Sequence, residues 1–114
     1  MLTVYLKPSC STCRALVSLL DERGVEYEGI DYYKSPIGED RLRELVAMTG
    51  RGAREILRTR DRPELAASAY TDDELIEMIA ADPDLVLRPI VVRGDRAVVA
   101  RPPGRVLELL DDDE

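Results

Sequence analysis

Leu2-Thr3-Val4-Tyr5-Leu6-Lys7-Pro8-Ser9-Cys10-Ser11-Thr12-Cys13-Arg14 is the stretch on which the fold of this chain turns. Leu2, Val4 and Leu6 alternate with Thr3 and Tyr5, which predicts a short strand, and Pro8 then marks a turn. Downstream, Ala15, Leu16, Leu19 and Leu20 fall on one face of a helix predicted over 11–23. Asp21 and Glu22 lie on another face, and Gly24 supplies the C-terminal stop. Cys10 therefore stands where a helix begins, and unpaired N–H groups and the helix dipole favour its thiolate there. Arg14, one turn along, is expected to add positive charge. Cys13 comes close to Cys10 once the first turn forms, and such a pair can cycle between dithiol and disulfide.

Outward from this turn, Val25, Tyr27 and Ile30 to Tyr32 predict a second extended segment. Strand, helix and strand so close together make a parallel, right-handed βαβ unit. Near the other end, Pro89 to Val92 and Ala97 to Val99 flank Arg93-Gly94-Asp95-Arg96, a two-residue hairpin loop with Gly at its first central position. Val106, Leu107, Leu109 and Leu110 predict a closing helix, with Pro103 in its first turn. The expected fold is α/β and thioredoxin-like: a four-stranded mixed sheet built from βαβ and ββα halves, with a helical insertion over about 34–84. Within the insertion Leu42, Leu45 and Val46 mark one helix and Ile56 and Leu57 another, read as a helix over 53–57. Thr71-Asp72-Asp73-Glu74 is a capping box opening a third, with Leu75, Ile76 and Ile79 on its apolar face.

A chain of 114 residues, 45% of them hydrophobic, is expected to form one domain, 1–114, around one core. With no Phe or Trp, that core falls to Leu, Ile and Val. The formal charge of −7 disfavours phosphate backbones and anionic membranes, so no direct nucleic-acid or membrane partner is expected. The run Asp111, Asp112, Asp113, Glu114 reads as a solvated acidic tail. No basic segment precedes an apolar run at the N-terminus, and no stretch approaches the roughly 20 apolar residues of a membrane span. A cytoplasmic location is expected, and two cysteines three positions apart, unable to staple distant segments, fit a reducing compartment.

The thiols are not expected to hold a metal. Tetrahedral zinc normally takes four Cys or His ligands, and the chain has two Cys and no His. The absence of His also removes Cys–His activation, leaving the helix, arginines and backbone donors to activate Cys10. That narrows the chemistry to thiol exchange or oxyanion reduction.

Three arginines stand beside apolar runs or prolines: Ile56-Leu57-Arg58, Leu87-Arg88-Pro89 and Ala100-Arg101-Pro102. Together with Pro8-Ser9-Cys10, Thr71-Asp72-Asp73-Glu74-Leu75-Ile76 and Arg88-Pro89-Ile90-Val91-Val92, they give the chain a resemblance to the glutaredoxin-coupled arsenate reductase (ArsC) family over nearly its whole length. It also resembles the related redox regulators of the Spx type. The resemblance implies a cis proline at Pro89 beside the cysteine turn, an oxyanion pocket lined by Arg58, Arg88 and Arg101, and Cys10 as the nucleophile that attacks arsenate. Glutathione and glutaredoxin then complete the reduction, or thioredoxin does so if Cys13 resolves the intermediate. Arg58 matches the reductases.

The CxxC form instead matches the Spx-type regulators, and Gly52 coincides with a glycine those regulators use at RNA polymerase. The alternative that follows is a Cys10-Cys13 switch docking on the RNA polymerase α subunit. A general dithiol oxidoreductase is the third possibility.

Overall fold

The computed structural model describes residues 2–110, so the acidic run 111–114 lies outside the described residues. Strand β1 (Leu2–Leu6) leads through the cysteine turn into helix α1 (Ser11–Glu22), which returns to strand β2 (Tyr27–Asp31). β1 and β2 pair in parallel, Leu2 opposite Tyr27 and Leu6 opposite Asp31. The helix ends a residue before the expected position because Gly24, at φ +66°, turns the chain and the Val25 N–H reaches back to the Leu20 carbonyl. Its buried residues are Cys13, Leu16 and Leu20. Ala15, expected on that face, is exposed, because the sheet covers a stripe running along i, i+3 and i+7. β2 stops before Tyr32, since the Asp31 carboxylate accepts the Tyr33 N–H and its carbonyl accepts those of Lys34 and Ser35, closing a turn.

Strands β3 (Ile90–Arg93) and β4 (Arg96–Val99) form the antiparallel hairpin, with Gly94 at φ +60° as a type II′ turn requires. β3 also pairs antiparallel with β1, Val4 opposite Val91, so the sheet is mixed with order β2-β1-β3-β4. Alternation along the strands sends side chains to two apolar layers. Leu2, Val4, Val91 and Val98 meet Leu16 and Leu20 of α1 and Val106 and Leu109 of the closing segment. Tyr5, Ile90, Val92 and Val99 meet the insertion through Leu42, Leu45, Leu75 and Ile79. The core is mainly aliphatic, but Tyr5 and Tyr32 are buried in it as well. The closing segment is a 3₁₀ turn over Pro103–Val106 running into a last short helix.

Numbered in chain order, the insertion carries α2 (Glu39–Thr49), the single turn α3 (Pro63–Ala66) and α4 (Asp72–Ala81), and α5 is Leu107–Leu110. Thr71 and Glu74 make both bonds of the capping box that starts α4. The helix expected over 53–57 is only a 3₁₀ turn, Ala53–Ile56. Leu57 is extended instead and forms an antiparallel bridge with Val86. The Arg58 N–H donates to the Leu85 carbonyl and the Leu87 N–H to the Ile56 carbonyl, both at 2.8 Å. This clamp seats Arg58 across from the segment that carries Arg88.

Gly52, before that turn, sits at φ +85° and ψ 173°, a region open to glycine alone. A Cβ there would stand 3.3 Å from an Asp72 carboxylate oxygen, and that carboxylate already accepts the Ala53 N–H. Gly52→Ala is expected to cost about 1–3 kcal/mol, read as a lower urea midpoint for the isolated protein. An unchanged midpoint would show that the position has no structural need for glycine.

Candidate active site

The cysteine turn is closed by the Cys10 N–H, which donates to the Lys7 carbonyl at 2.9 Å. Cys10 is the N-cap of α1, with extended backbone (φ −79°, ψ 126°), and its own carbonyl accepts from the Arg14 N–H. Its thiol is therefore presented to the open first turn of a helix, where N–H groups lack intrahelical partners. Partial burial pushes the Cys10 thiol up. That is outweighed by the Cys13 N–H and thiol, the Thr12 N–H and the Arg88 guanidinium, which together bring it from 9.0 to about 7.

Cys13, one turn along and 1% exposed, moves the opposite way, to about 11. Burial is the larger cause, and the bond and negative charge shared with Cys10 add to it. The two thiols are free and unequal: Cys10 is partly exposed with its pKa lowered, and Cys13 is buried with its pKa raised. Iodoacetamide should alkylate Cys10 with a rate rising through a midpoint near pH 7, because the thiolate is the nucleophile. Cys13 should stay unmodified in the folded protein at that pH. Peptide mapping by mass spectrometry checks both, and equal labelling of the two would contradict the asymmetry.

The cation beside Cys10 is Arg88 and not Arg14. Arg14 points outward at the i+4 position and borders a separate groove with Leu6, Pro8, Cys13, Val17 and Ser18. Arg88 is 6% exposed. Burial opposes its charge, but the neighbouring Tyr32 and Tyr33 and the Cys10 thiol hold it firmly protonated. Its Nη1 reaches the Val86 carbonyl at 3.4 Å, and Arg101 Nη1 donates to the Arg88 carbonyl at 2.9 Å. Arg58 is held from outside by Asp61 at 2.9 Å. The Arg88–Pro89 and Arg101–Pro102 peptide bonds are both cis.

The structure brings Cys10, Arg58, Arg88 and Arg101 to one cavity of about 170 Å³, and leaves Cys13 behind Cys10, facing the groove beside Arg14. Two further cations line the cavity, Lys7 and Arg60, together with Ser9, Ser11 and Thr12. Among the described residues no carboxylate lines it. Lys7 is placed by its ammonium lying 4.8 Å from the centre of the Tyr33 ring. Sequence reasoning misses both. For Arg60 a signal exists: it follows Arg58 by two residues, and in an extended segment that spacing puts two side chains on one side. For Lys7 no local signal distinguishes it from any surface lysine.

A mixed sheet of this order, with a low-pKa cysteine capping the helix after β1, defines a thiol protein of thioredoxin-like fold. The ArsC family model matches residues 5–109, and the chain belongs to the ArsC family. Among curated relatives, the uncharacterized YfgD protein of Escherichia coli K12 is 37% identical, covering 94% of each chain. An arsenate reductase of Escherichia coli is 35% identical over 97% of this chain and 82% of its own. The global transcriptional regulator Spx of Listeria innocua is 31% identical over 87% of this chain and 79% of its own. Among solved structures, the arsenate reductase from Vibrio cholerae superposes with a TM-score of 0.84 at 31% identity, covering 94% of this chain and 95% of that one. No helix among the described residues is long and apolar enough to cross a membrane.

Proposed function

We propose that the protein is a thiol-dependent reductase of arsenate or a closely similar tetrahedral oxyanion, with Cys10 as nucleophile and Arg58, Arg88 and Arg101 as the oxyanion-binding set. The observation that carries this reading is the cavity itself, where several cations and, among the described residues, no carboxylate converge on a thiol of pKa about 7. Like charges gathered this way repel one another, and in a chain of net charge −7 their convergence calls for an anionic occupant. Guanidinium forks suit a tetrahedral oxyanion because they donate two parallel N–H bonds to paired oxygens and stay charged when buried.

In this reading the Cys10 thiolate attacks arsenic, the As–O bond to an oxygen protonated from solvent breaks and that oxygen leaves as water, and a thiolate–arsenic(V) bond forms. The arginines stabilise the negative charge that builds on the remaining oxygens. A second thiol then attacks Cys10 Sγ, breaking the S–As bond. The electron pair of that bond stays on arsenic, which leaves as arsenite, and a disulfide remains on Cys10. Glutathione followed by glutaredoxin, or Cys13 followed by thioredoxin, returns Cys10 to the thiol. Either route needs reduced thiols and so fits a reducing compartment such as the cytoplasm.

NADPH-coupled arsenate reduction tests the reading, with glutathione plus glutaredoxin in one arm and thioredoxin plus its reductase in the other. Arsenate-dependent NADPH oxidation in one arm is expected and identifies the donor. Absence in both, with Cys10 free, removes the proposal.

Two observations favour a second reading. The Cys10–Cys13 contact and the likeness to Spx fit a redox-sensing regulator that docks on the α subunit of RNA polymerase. The structural need for glycine at position 52 weakens that position as evidence for a polymerase contact. A pull-down using the C-terminal domain of α as bait decides, and failure to bind in both the dithiol and disulfide states ends this reading.

A further inference from the structure

Three of the cavity's cations are tied down by the fold and two are not. Arg88 is buried and bonded to the Val86 carbonyl, Arg101 is bonded to the Arg88 carbonyl, and Arg58 is paired with Asp61. Lys7 and Arg60 have no carboxylate partner among the described residues. Lys7 is half-buried, held only against the Tyr33 ring, and Arg60 is exposed. Asp61, a Cys10 thiolate and a doubly charged oxyanion set four negative charges against the cavity's five positive ones, so one positive charge stays uncompensated, and Lys7 and Arg60 are, among the described residues, the two of these cations bonded to neither a carboxylate nor a backbone carbonyl. Both border the same cavity as Cys10, within reach of a reactant bound at the sulfur.

We propose that Lys7 and Arg60 form a second anion subsite, which selects as the reactant at Cys10 a small thiol or disulfide bearing carboxylates. This assignment deepens the proposed reductase reading by naming the class of its reductant and rests on it for its biological setting. The attraction is between solvent-exposed charges. It should therefore be modest, confined to charged reactants and weakened by salt. Neutral reactants gain nothing from it, and cationic ones are repelled.

The test uses no oxyanion. The reduced protein is mixed separately with glutathione disulfide (anionic), hydroxyethyl disulfide (neutral) and cystamine (cationic). In each, the Cys10 thiolate attacks one sulfur of the disulfide, the S–S bond breaks, and one small thiolate leaves as a mixed disulfide forms. Loss of free Cys10 thiol is followed by acid quench and mass spectrometry. Every rate is divided by the rate for N-acetylcysteine amide, an uncharged thiol, so that intrinsic reactivity cancels.

The anionic disulfide is expected to outrun the neutral one by about tenfold, about 1.4 kcal/mol, with the cationic one slowest. In Lys7→Met/Arg60→Met the spread between the three normalised rates should shrink to about a third or less, the remainder being the pull of Arg58, Arg88 and Arg101 in the same cavity, while Lys7→Arg/Arg60→Lys should retain the full spread. Raising the salt to 0.5 M, about half the ionic strength at which the Debye length falls to roughly 3 Å, should compress the wild-type order.

Equal normalised rates in the wild type, or a spread that the double Met variant leaves unchanged, overturn the subsite. Such a failure leaves the oxyanion reading standing. A failed arsenate assay, in turn, does not move the charge order measured here.

Discussion

Cys10→Ser is expected to reduce arsenate-dependent turnover to background, a loss on the order of 10⁴-fold or more, as when other covalent catalysts lose their nucleophile. A serine hydroxyl at this N-cap has the same N–H groups around it. An alkoxide, however, forms too rarely near neutral pH to replace a thiolate of pKa about 7, and oxygen cannot form the disulfide that carries the electrons away. Serine is also a favoured N-cap residue, so the variant should fold and retain its urea midpoint. Loss of activity in a stable protein would then report chemistry. A Cys10→Ser protein that still reduced arsenate would refute the assignment of the nucleophile.

Arg88→Met should produce the next largest effect, and two readouts separate its causes. The guanidinium favours the Cys10 thiolate, so its removal should move the alkylation midpoint upward from about 7. In the proposed reaction it would also remove a donor to the developing oxyanion, for which kcat/KM with arsenate should fall by about 10²–10³. The Arg101 bond goes to the Arg88 carbonyl and not its side chain, so the rest of the arginine set stays in place. An unmoved midpoint together with kcat/KM within a few-fold of wild type would show that Arg88 is structural.

Much of the frame is legible because its signals are local. The alternation of Leu2, Val4 and Leu6, the glycine after α1, the turn at Gly94 and the Thr71–Glu74 box act within a few residues, where backbone geometry and side-chain period decide the outcome. Sequence and structure part where a distant partner competes. Residue 57 reads as helical, but Val86 draws Leu57 into a bridge. Ala15 reads as buried, but the sheet meets a different stripe of α1.

The site divides the same way. A cysteine at the entrance of a helix, with a second thiol one turn on, is a property of the Pro8-to-Arg14 stretch. The sequence by itself therefore determined where the low-pKa thiol stands and that backbone N–H groups would lower its pKa. Only the tertiary structure decided which cation assists it. Arg14, four residues away, points outward, while Arg88, seventy-eight positions on, is buried against the thiol. It likewise decided that Lys7, Arg58, Arg60, Arg88 and Arg101 share one cavity. Secondary structure follows from preferences written into neighbouring residues. Electrostatic environment follows from distance in space, and those distances exist only once the Leu57–Val86 bridge and the β1–β3 pairing have closed the chain.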